Sequence, residues 1–321
     1  MDWLRLKAGL LAEGRVKVAG APLGPYLSSS TAGPGAGGKG SIFFSVSGKR
    51  VRFSVYPDAP LVLIHEGKGN ASVPFHGEMV RGVLEVPGFH CPRQAFITLT
   101  ESCIFSCRYC AVPGRAGRTK SIDEVVAMVR SVVERIDAVS LTSGVAGSVR
   151  EEEARACAVV RALAPFGLPV GVSIYPTSDS PRLLWEAGAA EVKFNLEAAT
   201  PGLFAEMCPG LEWNLVWDVL ARSVRLFGKN HVQSNIIVGL GESDEEMAGA
   251  IRRLCSIGVI PILRLLTPAA GLAHFRRPSA ERLLGLNEVA AREMAAAGLD
   301  AGRALTMCAA CTGCDLVPGR D

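Results

Sequence analysis

Residues 95–110 read AFITLTESCIFSCRYC, an apolar strand-like run that ends in three cysteines within eight residues. Thr98 and Thr100 alternate with Ile97 and Leu99, the period of a strand with two unlike faces. Cys103, Cys107 and Cys110 then occupy the loop directly after it. Further strand-like runs follow near 138–143, 168–174, 190–197, 231–238 and 259–266, separated by helical stretches rich in Ala, Arg and Glu. Such alternation predicts an α/β fold with a parallel sheet covered by helices. Six units fit a partial (β/α)6 TIM-like barrel, with function at the C-terminal ends of its strands.

The polar members of these runs share one face. They are Thr98/Thr100, Ser140/Thr142, Ser173/Tyr175, Lys193/Asn195/Glu197, Gln233/Asn235 and Arg264, whereas the alternate set is apolar, as in Val192/Phe194/Leu196. A barrel interior of that kind predicts a binding cavity, because buried polar groups without partners are costly.

Residues 1–90 differ in character. The apolar runs SIFFSV and VRFSV are joined by Ser47-Gly48-Lys49, a hairpin pattern, and APLVLIHE and EMVRGVLEV read as further strands. They predict a small β-rich N-terminal domain over 1–90, ahead of the barrel over 91–297 and a cysteine-rich tail over 298–321. The glycine-rich stretch at 28–41 approaches the phosphate-loop pattern at Gly33 to Lys39. Gly40 stands where Ser or Thr should meet magnesium, however, and a strand follows where a helix is needed, so a surface loop or substrate lid is the better reading.

With 49% hydrophobic and 20% charged residues in 321, a disordered chain is excluded. The 34 Lys+Arg against 31 Asp+Glu are too balanced to predict nucleic acid or an anionic membrane as partner. No run approaches the ~18 apolar residues of a spanning helix. The N-terminus is too interrupted by charge for a secretory signal. A cytoplasmic location is the expectation.

Ten cysteines remain to be explained. Thiolates at C-x3-C-x2-C can hold three irons of a 4Fe–4S cluster and leave the fourth open; a zinc site short of one ligand, or three buried thiols, are the alternatives. Cys308, Cys311 and Cys314 form a second triplet, C-x2-C-x2-C, spaced like the start of a ferredoxin run. It predicts a second 4Fe–4S cluster, with zinc as the alternative, on a segment able to fold back over the barrel mouth. Its fourth ligand stays open between Cys91, Cys208 and none, with His90 as an outside candidate. Cys157 and Cys255 read as core packing.

ESCIFSCRYC resembles the C-x3-C-x-aromatic-C signature of the radical S-adenosylmethionine (SAM) superfamily, and the resemblance extends over about 94–297. It implies that the open iron binds SAM, whose reductive cleavage yields methionine and a 5′-deoxyadenosyl radical. By the same resemblance Tyr109 is the aromatic neighbour of the adenine, and Thr142-Ser143-Gly144 is the turn for the methionine amino group, without the acidic residue some members carry. Asn195 and Glu197 match the ribose contacts of biotin-synthase-like members. Asn235-x-Ile237-x-Gly239-x-x-Glu242 matches G-x-I-x-G-x-x-E, with Asn in place of the first Gly. Glu242 is divided between helix capping and organising the site, and backbone near Leu265 is expected at the adenine. Arg264 is open between an anion, SAM, the second cluster and an ion pair with Glu197.

The branch most resembled is the biotin-synthase-related one, including the two-component, archaeal-type lipoyl synthases. That implies a transferase inserting sulfur into an octanoyl chain on a lipoyl carrier protein, with an auxiliary cluster, a second radical SAM subunit and a ferredoxin or flavodoxin as electron donor. Radical oxidation or rearrangement of a small metabolite, with the second cluster relaying electrons, is one alternative. A non-catalytic Fe–S scaffold is another.

Overall fold

Residues 2–28, 40–114, 116–268 and 270–321 are described by a computed structural model. The phosphate-loop-like stretch at 33–39 lies outside them. Helix α1 (Trp3–Glu13) ends at Gly14, whose left-handed backbone (φ 61°) turns the chain into β1 (Arg15–Gly20). Next come β2 (Ser41–Val46) and β3 (Lys49–Val55), joined through Ser47 and Gly48, both at positive φ, the turn geometry whose twist suits a hairpin. With β4 (Leu61–Gly67), β5 (Asn70–Phe75) and β6 (Glu78–Glu85) they close a barrel in the order β1-β3-β2-β6-β5-β4. Pairing of β1 with β4 removes the edges, and Val16, Phe44, Phe53, Leu63 and Val73 fill the interior with Leu10 and Leu11 of α1. Strand β5 reads in sequence as an Asn/Pro turn; ladders to β4 and β6 on both sides override its weak propensity.

The second sheet begins with a hairpin of β7 (His90–Cys91) and β8 (Gln94–Thr98). It continues through α2 (Ile122–Val132), β9 (Ala138–Thr142), α3 (Val149–Leu163), β10 (Val170–Ser173), α4 (Ser180–Ala187) and β11 (Glu191–Lys193). Then follow α5 (Pro201–Met207), α6 (Trp213–Phe227), β12 (Val232–Val238), α7 (Asp244–Ser256), β13 (Ile260–Leu265) and α8 (Ala280–Ala296). Strands β8 to β13 are parallel neighbours in chain order, the partial (β/α)6 barrel. Ser121, Ser148 and Ser243 start α2, α3 and α7 with capping boxes closed by Glu124, Glu151 and Glu246, each worth about 1 kcal/mol.

Strand β11 stops at Lys193, short of the expected 197. There Ser234 Oγ accepts from the Leu196 amide (2.9 Å), and Glu197 takes a left-handed backbone (φ 63°). Asn195 and Glu197 therefore sit on a loop beyond the strand.

The tail is placed differently from expectation. It does not cover the mouth from which the first cysteine loop projects; it enters at the opposite end, among the first residues of the strands. Glu191, fully buried at the start of β11, accepts from the amides of Leu305 (2.7 Å) and Thr306 (2.9 Å) and from Thr306 Oγ1 (2.6 Å). Gln94 Oε1 on β8 accepts from the Met307 amide (2.9 Å), as does Ser140 Oγ (3.0 Å), and Gln233 Oε1 on β12 accepts from that of Ala309 (3.2 Å). Gly171 on β10 leaves room for the tail, since a Cβ there would lie 2.1 Å from Thr306 Oγ1. Helix α9 (Met307–Cys311) thus forms a floor inside the barrel. Buried Lys7 of α1 binds the Thr312 carbonyl (2.6 Å) and Asp321 (2.5 Å) beyond it. No described helix is long and apolar enough to cross a membrane.

Replacing Glu191 by Ala leaves three buried donors unsatisfied and is expected to cost about 3 kcal/mol. Urea denaturation should show a lower midpoint, and limited proteolysis should cut between 298 and 306.

Candidate functional site

Strand β8 delivers the first cysteine loop, and neighbouring backbone fixes it. The Ile104 amide donates to Val145 O (2.7 Å), that of Arg108 to Met207 O (2.9 Å), and that of Cys110 to Cys107 O (3.1 Å). Gly144, in the turn after β9, donates to Thr100 O (2.8 Å) and approaches so closely that a Cβ would lie 2.1 Å from Ser102 O. A buried carboxylate holds this junction: Glu152 accepts from Thr100 Oγ1 (2.8 Å) and Ser143 Oγ (2.9 Å). Sequence reasoning missed Glu152, which looks like one solvated charge in the run Glu151-Glu152-Glu153.

The loop opens on a cavity of about 760 Å³. Cys103, Cys107, Tyr109 and Cys110 line it, as do Thr142, Ser143, Gly144, Asn195, Glu197, Asn235, Ile237, Arg264 and Leu265. Cys91, Cys308, Cys311 and Cys314 line the same cavity. Gly239 and Glu242 do not. Glu242 accepts from the amides of Gly239 (2.7 Å) and Leu240 (2.8 Å) and pairs with Arg282 (2.9 Å), so it braces the turn after β12, while Ser243 caps the helix. Three inward polar candidates are also redirected. Ser140 and Gln233 hold the tail, and Tyr175 Oη accepts from the Glu212 amide (2.8 Å).

Enclosure pushes the Glu197 carboxyl above its ordinary range, against the pull of Lys193, Asn195 and Tyr109. A hydrogen bond from Cys208 draws the Cys107 thiol down, and the same contact, with burial, pushes Cys208 up. Cys208 also lies 3.6 Å from Tyr109 Oη. It therefore belongs to the first triplet's surroundings. Cys91 is the single cysteine beside the tail: its hydrogen bond to Cys311 holds that thiol down at about 6, while Cys91 itself is pushed well up. Cys157 and Cys255 lie in the barrel core, where burial raises both, Cys255 to about 12. Arg264 pairs with Asp315 (3.2 Å) and donates to Cys308 Sγ (3.1 Å); its ion-pair partner is not Glu197.

These donors fit a thiolate-held cluster with SAM. Three thiols share one loop facing the cavity, a carboxylate lies across from them, and Asn235 Oδ1, buried in the wall, has no hydrogen-bond partner among the described residues. No three His, Cys, Asp or Glu side chains among the described residues close round a single ion. A cubane places each thiolate on a different corner iron and so spaces its ligands more widely than one ion does.

Residues 97–254 match the Radical SAM superfamily. Among solved structures the chain is similar to the FeFe-hydrogenase maturase HydG from Carboxydothermus hydrogenoformans, with TM-score 0.54, 16% identity, and 64% of this chain and 52% of that one covered. It is similar too to methylornithine synthase PylB (0.53, 16%, 64% and 63%) and to SuiB from Streptococcus suis bound to SAM (0.51, 13%, 62% and 46%). The chain thus spans about half to under two-thirds of their length, and at these identities the likeness is one of fold. No curated protein sequence matches the chain.

Glu152→Ala frees two hydroxyls that set the turn beside the cysteine loop. Equilibrium titration should show SAM affinity reduced roughly tenfold, the equivalent of about 1.4 kcal/mol, with iron content unchanged.

Proposed function

We propose that this protein, whose residues 97–254 match the Radical SAM superfamily, cleaves SAM at the Cys103, Cys107 and Cys110 site and inserts sulfur into an octanoyl chain on a lipoyl carrier protein. One observation carries the reading: two cysteine triplets, entering from opposite ends of one barrel, open on a single cavity. Phe43, Phe89, Phe96, Val112, Met128 and Leu266 add an apolar lining. Burying an alkyl chain there stabilises binding by about 0.8 kcal/mol per methylene. When bound, SAM on the first cluster would supply a 5′-deoxyadenosyl radical, and a cluster on the tail would supply sulfide.

The chain's own residues orient and enclose. Glu197, as a carboxylate, accepts hydrogen bonds from the ribose hydroxyls, with Asn195 beside it. The Thr142-Ser143-Gly144 turn, held by Glu152, presents backbone to the methionine end, and backbone near Leu265 meets the adenine. The apolar part of the lining disfavours water beside a carbon radical. A low-potential donor, ferredoxin or flavodoxin, supplies the electron, and a second radical SAM subunit shares the two insertions.

Anaerobic incubation with octanoylated carrier protein, SAM and dithionite tests this. Sulfur-dependent mass gain on the carrier, together with 5′-deoxyadenosine, is the expected result, and Cys107→Ala should abolish both. Deoxyadenosine without mass gain would overturn sulfur insertion in favour of radical oxidation or rearrangement of a small metabolite.

A further inference from the structure

We infer that Cys91 is the fourth thiolate of a tail-held 4Fe–4S site and that Arg52 of the N-terminal barrel is its charge partner, an inference that rests on the second-cluster reading above. Cys91 is 1% exposed, lies on the β7–β8 hairpin and shares one buried cluster with Cys311. Phe43 and Phe96 pack round that pair. The other single cysteines are elsewhere, Cys208 beside Cys107 and Cys157 and Cys255 in the barrel core. Of the four single cysteines, Cys91 is the one that lines the cavity with Cys308, Cys311 and Cys314.

Charge points the same way. Arg52 is 2% exposed and donates to Ser41 Oγ (2.6 and 2.9 Å), with His90 Nε2 at 3.1 Å; among the described residues it has no carboxylate partner. Lys193, 4% exposed, donates to Cys308 Sγ (3.2 Å) and likewise has none within ion-pair distance among them. Arg264 shares Cys308 Sγ and pairs with Asp315, whose Oδ1 lacks a hydrogen-bond partner. A buried cation without a counter-ion costs several kcal/mol. Arg52, Lys193 and Arg264 outnumber Asp315 and Glu197, the carboxyls set against them, and so call for a further anion; each thiol that ligates iron loses its proton and adds one negative charge.

The N-terminal barrel is built into this site. The Arg52 amide donates to Gly313 O (2.7 Å) and Lys7 Nζ to Thr312 O (2.6 Å), so β3 and α1 grip the loop between Cys311 and Cys314. Arg50 Nη1 approaches Cys311 O at 3.5 Å. That assigns the β-rich domain a task its sequence does not disclose.

The test uses the full chain, anaerobically reconstituted, with Cys103, Cys107 and Cys110 changed to Ala so that only the tail can hold iron. About four irons per chain are expected in this background. Adding Cys91→Ser should remove at least about one iron or change the Mössbauer and electron paramagnetic resonance signals, whereas adding Cys208→Ala should change neither. Adding Arg52→Met should retain iron but shift the midpoint potential negative, since removing a cation disfavours the more anionic reduced state. Unaltered spectra in Cys91→Ser would overturn the ligand assignment, and an unaltered potential in Arg52→Met would overturn the charge pairing. A background holding zinc or no metal would instead overturn the second cluster itself, and this inference with it.

Discussion

Glu191 is the constraint on which the arrangement depends. Its carboxylate, buried at the base of the barrel, takes three hydrogen bonds from Leu305 and Thr306. A buried carboxyl needs partners, and the tail supplies three of them beside Gln233 Nε2 (3.3 Å) and His231 Nδ1 (3.1 Å). Gln94, Ser140 and Gln233 extend the same logic across β8, β9 and β12. The polar interior thus has two jobs. Near the starts of the strands it satisfies the backbone of the tail, and beyond their ends it faces the first cysteine loop.

That division brings two cysteine groups to one cavity without placing either on a long free loop. Non-glycine residues with left-handed backbone lie at both: Glu197 (φ 63°) near the first, His90 (φ 68°) and Thr312 (φ 56°) at the second. Each such conformation costs of order 1–3 kcal/mol and persists only where surrounding contacts determine it. At Thr312 those contacts are visible, since its amide bonds Cys308 O and its carbonyl receives Lys7.

Much of this was legible in the sequence. Alternating strand-like and helical runs revealed the barrel, and both triplets were plain from spacing. What escaped were side chains whose meaning depends on distant partners. In Glu151-Glu152-Glu153 only the first is a cap; Glu152 braces Thr100 and Ser143, and Glu153 accepts from Thr177 Oγ1 (2.7 Å). Nothing local distinguishes the three. Glu191 and Gln233 read as ordinary strand polar residues because their donors lie 114 and 76 positions away at Leu305 and Ala309. Likewise Glu242 sits at a position the family pattern matches, yet the geometry of the turn gives it a bracing role.

The floor of the barrel is synthesised after every strand that it joins. Translation runs from the N-terminus, so the six strands and the N-terminal barrel emerge while Gln94, Ser140, Glu191 and Gln233 still lack their partners in the tail. Contacts spanning 213 residues, as between Gln94 and Met307, or 314, as between Lys7 and Asp321, form only once the later partner has been made. The two cysteine groups are therefore completed one after the other. The loop after β8 is complete before β9 is made, whereas Cys308, Cys311 and Cys314 meet Cys91 only after all the barrel strands have been synthesised.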